Sequence, residues 1–206
     1  MKNEPWLMDK YNQVCQSRIP GYALVSLKNK RFRIFNRLYD RETGDLLIEK
    51  VYEVLEDWLE DGEYIARIYL DYYNILMRFP DDYDALFARV IEMNRIVRDM
   101  PYEPFQGKIF SGLGIFPLPE EPVDFYTAQY NADICRNECP QSPYRNSHFE
   151  VYGVTYRDNN LLAFDLAQNL LPAIEAGHIK LYLQPKVDLR TGEITRAEAL
   201  VRWIDP

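Results

Sequence analysis

Apolar positions along the chain change their spacing several times, and each change marks an element. Residues 5–17 have the pattern of a short lead-in helix, broken at Pro20-Gly21. Tyr22 to Leu27 (YALVSL) is a continuous apolar run of strand length, which predicts a buried strand. A basic stretch follows, KNKRFRIFNR, and then Asp40 to Asp45 with a turn expected at Gly44. Leu47, Val51, Val54, Leu55 and Trp58 are spaced for one face of a helix ending near Asp61-Gly62. YIARIYL and YNILMRF are two strand-like runs separated only by Asp71-Tyr72, which is hairpin spacing.

Pro80-Asp81-Asp82 opens a further helix, with acidic residues favourable at its positive end. Leu86, Val90, Met93 and Val97 form its apolar stripe. KIFSGLGIFPL predicts another strand, between Pro-rich loops at 101–104 and 117–122. A helix over 123–137 and a strand in HFEVYGV complete the unit. The order β, helices, β-hairpin, helix, β, helix, β predicts an α/β (α+β) sandwich, with helices packed on one mixed sheet.

Arg157-Asp158-Asn159-Asn160 marks a junction. Asp158 or Asn159 can cap a helix that carries Leu162, Leu166, Leu170 and Ile174 and ends at Gly177. Two strands follow around Arg190-Thr191-Gly192-Glu193. The second sets Glu198 and Arg202 in an otherwise apolar run. Buried charge costs several kcal/mol unless it is paired or bound. Glu198 and Arg202 are thus either an internal ion pair, four apart on one strand face, or ligands. A barrel-like pattern that begins here is expected to continue in a longer protein beyond Pro206.

Composition narrows the classes. The chain is 47% hydrophobic and 14% aromatic, enough for a sizeable core rather than a disordered chain. Its net charge of −8 argues against nucleic-acid binding, which needs a basic face. No signal peptide and no long apolar run are seen, so this segment is expected to be cytoplasmic and to make no membrane contact, whether or not its parent is anchored. Cys15, Cys135 and Cys139 are too few for a disulfide framework. Cys135 and Cys139 share a helix face with His148 nearby, but structural zinc usually needs four closely spaced ligands. Small, partly buried helix residues are the better reading. His178 is read as a polar residue at a helix C-terminus.

LYLQPKVDLRTGEI followed by AEALVRW, with Glu198-Ala199-Leu200 inside it, resembles the N-terminus of EAL domains, cyclic di-GMP phosphodiesterases with a TIM-type barrel. The resemblance covers about residues 158–206, within a second domain expected over 153–206. It implies that Glu198 is a metal ligand, Arg202 a phosphate contact and Gln184 a contact to the dinucleotide. Carboxylate oxygens suit a hard cation and the guanidinium fork suits phosphate. Mg²⁺ or Mn²⁺ is expected for an intact EAL domain and no cofactor for residues 1–206. A barrel needs about 250 residues, so the remaining ligands and the general base are expected past Pro206.

Residues 18–152 resemble a GGDEF domain, the diguanylate cyclase family. FRIFNRLYDRETGDLL places Phe32, Asn36, Gly44 and Asp45 in the family pattern, and Ala66 to Leu76 occupies the signature hairpin. The resemblance implies that Asn36 and Asp45 read guanine. The signature itself departs, reading Tyr69-Leu70-Asp71-Tyr72-Tyr73. Glycines there allow positive φ and close backbone approach to phosphate, and Tyr72 replaces the catalytic carboxylate. Lys28 and Lys30 stand where the family places Asp-x-Asp, and lysine repels a divalent cation. Glu60-Asp61-Gly62-Glu63 occupies the place of the inhibitory RxxD motif. The resemblance therefore implies an inactive domain. One reading has Tyr69, Leu70 and Tyr72 fill the pocket of a regulatory, homodimerising module. The other has Asn36, Asp45, Lys28 and Lys30 bind a guanine nucleotide or cyclic di-GMP without metal.

Overall fold

The computed structural model describes the chain except residues 19–20, 31, 80–82, 140–147, 154–168 and 205–206. The openings at Pro80-Asp81-Asp82 and Arg157–Asn160, with Leu162 and Leu166, lie outside the described residues. The chain divides into two units, Met1–Tyr152 and Gly153–Pro206. Among the described residues no helix is long and apolar enough to cross a membrane.

The first unit runs α1 (Glu4–Gln16), β1 (Tyr22–Asn29), α2 (Phe32–Leu38), α3 (Arg41–Trp58), β2 (Tyr64–Tyr69), β3 (Tyr72–Arg78), α4 (Tyr83–Arg98), β4 (Ser111–Pro117), α5 (Phe125–Glu138) and β5 (His148–Val151). The five strands form one sheet in the order β2-β3-β1-β4-β5. Pairing is antiparallel except between β4 and β5. Leu24, Ala66, Leu76 and Phe116 pack with Leu7, Tyr11, Ala128 and Ala132 of α1 and α5. Val25, Leu27, Tyr73 and Ile75 pack with Leu47, Val51, Leu86 and Val90 of α3 and α4 on the other face. β1 is central and covered on both faces, which explains its unbroken apolar run. This is the mixed sheet flanked by helices that the element order predicts.

Two local expectations are corrected. Gly44 is not in a turn. Asp40 caps α3, accepting from the Thr43 N–H at 2.6 Å, so the helix starts earlier and takes in Gly44. Gly44 is needed for another reason: a Cβ there would overlap the Asn36 side chain on α2. The hairpin turn is Leu70-Asp71, one residue earlier than expected, because Tyr69 pairs with Tyr72 across the strands. Leu70 takes φ +48, and Arg67 Nε donates to the Leu70 carbonyl at 2.8 Å. The left-handed region, which favours glycine, is thus held here by a leucine.

Glu63, in the RxxD place, is a buried structural clamp. Arg89 of α4 donates to both its oxygens at 2.6 and 2.9 Å, and the Arg78 N–H donates at 2.8 Å. The clamp joins α4 to the hairpin.

In the second unit residues 169–175 are helical. Gly177 at φ +73 ends that helix, with Gly177 N donating to Ile174 O and His178 N to Ala173 O. This paired closure is a Schellman motif, so His178 sits at the helix end as expected. β6 (Ile179–Val187) and β7 (Ile194–Trp203) form an antiparallel hairpin.

Candidate functional site

The signature hairpin, the end of β1 and α5 meet at one edge of the first unit. Register sets Lys28 opposite Tyr72 on one side and Gly112 on the other. Tyr72 and Ser26 both face α5. The Tyr72 hydroxyl donates to Asp133 Oδ1 at 2.8 Å, and Ser26 Oγ donates to the same oxygen at 2.6 Å. Arg136, one turn on, places Nη2 3.3 Å from that oxygen and its guanidinium 4.7 Å from the Tyr72 ring centroid. Burial, reinforced by the Asp133 charge, raises the Tyr72 hydroxyl well above the usual phenol range. At any ordinary pH Tyr72 is therefore a neutral donor, and it is committed to Asp133.

Asp71 is 3% exposed at the turn. Burial pushes its carboxyl up, against the opposing pull of Lys28 and Arg136. Lys28 itself is exposed. Lys30 is half-buried, with its amine pushed down by burial, and it lies against Gly112, where a Cβ would be 3.3 Å from its Cε. Divalent metal chemistry needs several hard oxygen ligands. Of the two carboxylates at this edge, Asp71 lies beside a lysine and Asp133 is taken by Tyr72, Ser26 and Arg136, and among the described residues no group of three or more His, Cys, Asp or Glu could hold a metal. The residues at this edge do not fit Mg²⁺.

The structure corrects the expectation that Tyr69 and Leu70 fill the pocket. Tyr69 is 70% exposed and Leu70 is exposed as well, because the left-handed turn directs them outward. Of the three residues Tyr69, Leu70 and Tyr72, Tyr72 alone turns inward. Tyr73 is fully buried and donates to Ile48 O at 2.9 Å.

Asn36 and Asp45 lie on neighbouring elements. Asn36 packs on Gly44, and its Oδ1 is buried without a hydrogen-bond partner. Asp45 is exposed in a loose pair with Arg41 at 3.9 Å. Cys135 and Cys139 are buried, and the Cys139 thiol donates to Leu113 O at 3.1 Å. Burial raises both thiols, that of Cys135 to about 12.

In the second unit Glu198 stands opposite Gln184. Of the two readings of Glu198 and Arg202, the internal ion pair does not form. Four residues along a strand span about 13 Å, whereas the diagonal cross-strand neighbour is within about 8 Å. Lys186 is that neighbour, and its Nζ lies 2.9 Å from Glu198 Oε2, while Arg202 Nη1 donates to Val201 O. Both Glu198 and Arg202 are exposed.

Sequence reasoning missed Ser26, Asp133 and Arg136. Their signals were present: a serine inside an apolar strand, and an Asp and Arg spaced i, i+3 on α5.

No family model matches the chain. It is similar to two proteins of Pseudomonas aeruginosa, the cyclic di-GMP phosphodiesterase NbdA (23% identity over 192 residues) and the bifunctional diguanylate cyclase/cyclic di-GMP phosphodiesterase MucR (24% over 209 residues). These alignments take in 93% and 100% of this chain but only 24% and 30% of the relatives. The chain thus spans under a third of their length. Among solved structures, Vibrio cholerae LapD S helix-GGDEF-EAL, bound to c-di-GMP, aligns with TM-score 0.66 at 15% identity, covering 98% of this chain and 47% of that one. The GGDEF domain of TpbB (YfiN) from Pseudomonas aeruginosa aligns with TM-score 0.64 at 14% identity, covering 78% and 95%. The mixed α/β sheet of this chain is the GGDEF, nucleotidyl-cyclase-like fold.

Proposed function

We propose that residues 1–152 are a non-catalytic GGDEF module of a cyclic di-GMP signalling protein. It regulates, and helps to dimerise, an EAL phosphodiesterase whose first strands are residues 153–206. The observation that carries this reading is the hub on Asp133. Where the cyclase pattern has a metal-binding Glu on the hairpin and Asp-x-Asp at the end of β1, this chain has Tyr72, which donates to Asp133, and Lys28 and Lys30; of the hairpin carboxylates only Asp71 is kept. Lys28 and Lys30 bring positive charge where cations would sit and Tyr72 brings no anionic ligand, so the metal-dependent step lacks its ligand set. The named activities of NbdA and MucR support the pathway, and the Glu198, Gln184 and Arg202 pattern supports the EAL part. In a completed barrel Glu198 would exchange Lys186 for the Mg²⁺ or Mn²⁺ of that domain, with Gln184 beside it.

The test is hydrolysis of cyclic di-GMP by the full-length protein, compared with a form lacking residues 1–152 and with Tyr72→Ala in the full chain. A several-fold change in rate on both alterations is expected. Unchanged rates would contradict the regulatory role, and absence of hydrolysis in the intact protein would contradict the phosphodiesterase part.

One observation favours a second reading, in which the module binds a guanine nucleotide. Asn36 has a buried carbonyl oxygen with no partner, and Asp45 on the adjacent helix is exposed. Calorimetric titration with GTP in EDTA decides it: heat at micromolar ligand, lost in Asp45→Ala, supports nucleotide binding, and no heat rejects it.

A further inference from the structure

Asn74 is 0% exposed in the middle of β3, and neither atom of its amide has a hydrogen-bond partner. A buried amide without partners is costly, and buried polar groups are nearly always satisfied by protein or by ordered water. Its neighbours are fixed by register. Ala66 of β2 lies on one side and Ser26 of β1 on the other, with Gly114 of β4 next in the row. All face α1 and α5. The row is lined by small groups, since Ala128 and Ala132 of α5 belong to the same cluster. Asn74 is thus a large polar side chain among alanines, a glycine and a serine, under a helix that rests its backbone on Gly114.

We propose that Asn74 holds an internal water molecule between the sheet and α5, next to the Ser26–Tyr72–Asp133 hub. The amide, a donor beside an acceptor, selects a neutral ligand that can both accept and donate. In the adjacent hub Asp133 already accepts from two hydroxyls and pairs with Arg136. A water donating to Oδ1 and accepting from Nδ2 has the two to four polar partners that internal waters require, with the Ser26 hydroxyl as a neighbour. The site does not depend on the functional reading above.

The experiment is a high-resolution crystal structure of the 206-residue protein, paired with thermal unfolding of Asn74→Leu and Asn74→Ala. A solvent peak within about 2.7–3.2 Å of both Asn74 amide atoms is expected. Asn74→Leu should remove that peak and lower the melting midpoint by roughly 3–6 °C. Asn74→Ala should also lose the peak, because space remains but both amide partners of the water are gone. No peak in the parent protein overturns the proposal whatever the variants do. A rise in midpoint for Asn74→Leu overturns it too, since a dry, unpartnered amide is improved by an apolar replacement.

Discussion

Replacing Gly114 by alanine should be among the most damaging single-methyl additions to this fold. Gly114 sits in β4 where α5 crosses. An added Cβ would overlap the Ala132 carbonyl oxygen and the Arg136 backbone nitrogen, and would lie 3.0 Å from the Ala132 carbonyl carbon. These are backbone atoms of a helix, so no rotamer change relieves them. α5 must retreat by on the order of 1 Å, and a gap of that size forfeits a quarter to a half of each dispersion contact. Phe125, Ala128, Ala132 and Cys135 all bury against the sheet from this helix. Overpacking usually costs 1–3 kcal/mol, and displacement of a whole helix sets the expectation at about 3–4 kcal/mol. That corresponds to a midpoint lower by roughly 10 °C for a chain of this size. Gly112→Ala is the control: the nearest atom to its Cβ would be Lys30 Cε at 3.3 Å, the far end of a flexible side chain, with Cys139 Cβ at 3.7 Å and Arg136 Cγ at 3.9 Å in ordinary contact. It should cost less than about 1 kcal/mol, since alanine also restricts the unfolded chain. Urea unfolding of both variants measures the difference. If Gly114→Ala falls within 0.5 kcal/mol (about the scatter of surface changes) of the parent or of Gly112→Ala, the close seating of α5, and with it the placement of Asp133 and Arg136, is wrong.

Arg89→Met should destabilise by about 3 kcal/mol, measured by urea unfolding, because it leaves the buried Glu63 carboxylate short of its main partner. Burial alone would raise the Glu63 pKa, but its hydrogen bonds from Arg89 and from two backbone N–H groups hold it below the usual carboxylate value. Its stabilisation is therefore present above the unfolded-state pKa and is lost as pH falls through the lowered folded one. The acid limb of a stability profile should be shallower in Glu63→Gln. Tyr72→Phe removes one donor to Asp133 while Ser26 and Arg136 remain, so a loss of about 1 kcal/mol in the same assay is expected. Cys135 and Cys139 should resist a thiol reagent until the protein is unfolded, since both are buried and their thiolates are disfavoured.

Much of the architecture was legible in the sequence because β1, β3 and β4 are apolar runs and α3 and α4 carry clean stripes. The errors were local and had one cause each. Gly44 reads as a turn because glycine usually marks one, yet it serves a side-chain contact with Asn36 across two helices. The expectation that Tyr69 and Leu70 fill a pocket followed from bulk alone, whereas a positive φ at Leu70 sends them outward. The site was half legible. Lys28, Lys30 and Tyr72 were visible as departures from a pattern. Asp133, Arg136 and Ser26 were visible one by one, as a polar residue in an apolar strand and an i, i+3 pair, but only sheet register and the seating of α5 join them into one hub. The ion-pair reading of Glu198 and Arg202 failed because strand rise separates residues that helix geometry would have joined.

The central claim is that this edge carries no cyclase. Incubating the protein with GTP and Mg²⁺, and separately with Mn²⁺, and following products by liquid chromatography tests it most directly. The hub on Asp133 predicts that GTP is recovered unchanged over hours. Cyclic di-GMP formed above a protein-free blank, and reduced by Asp71→Ala, would contradict it.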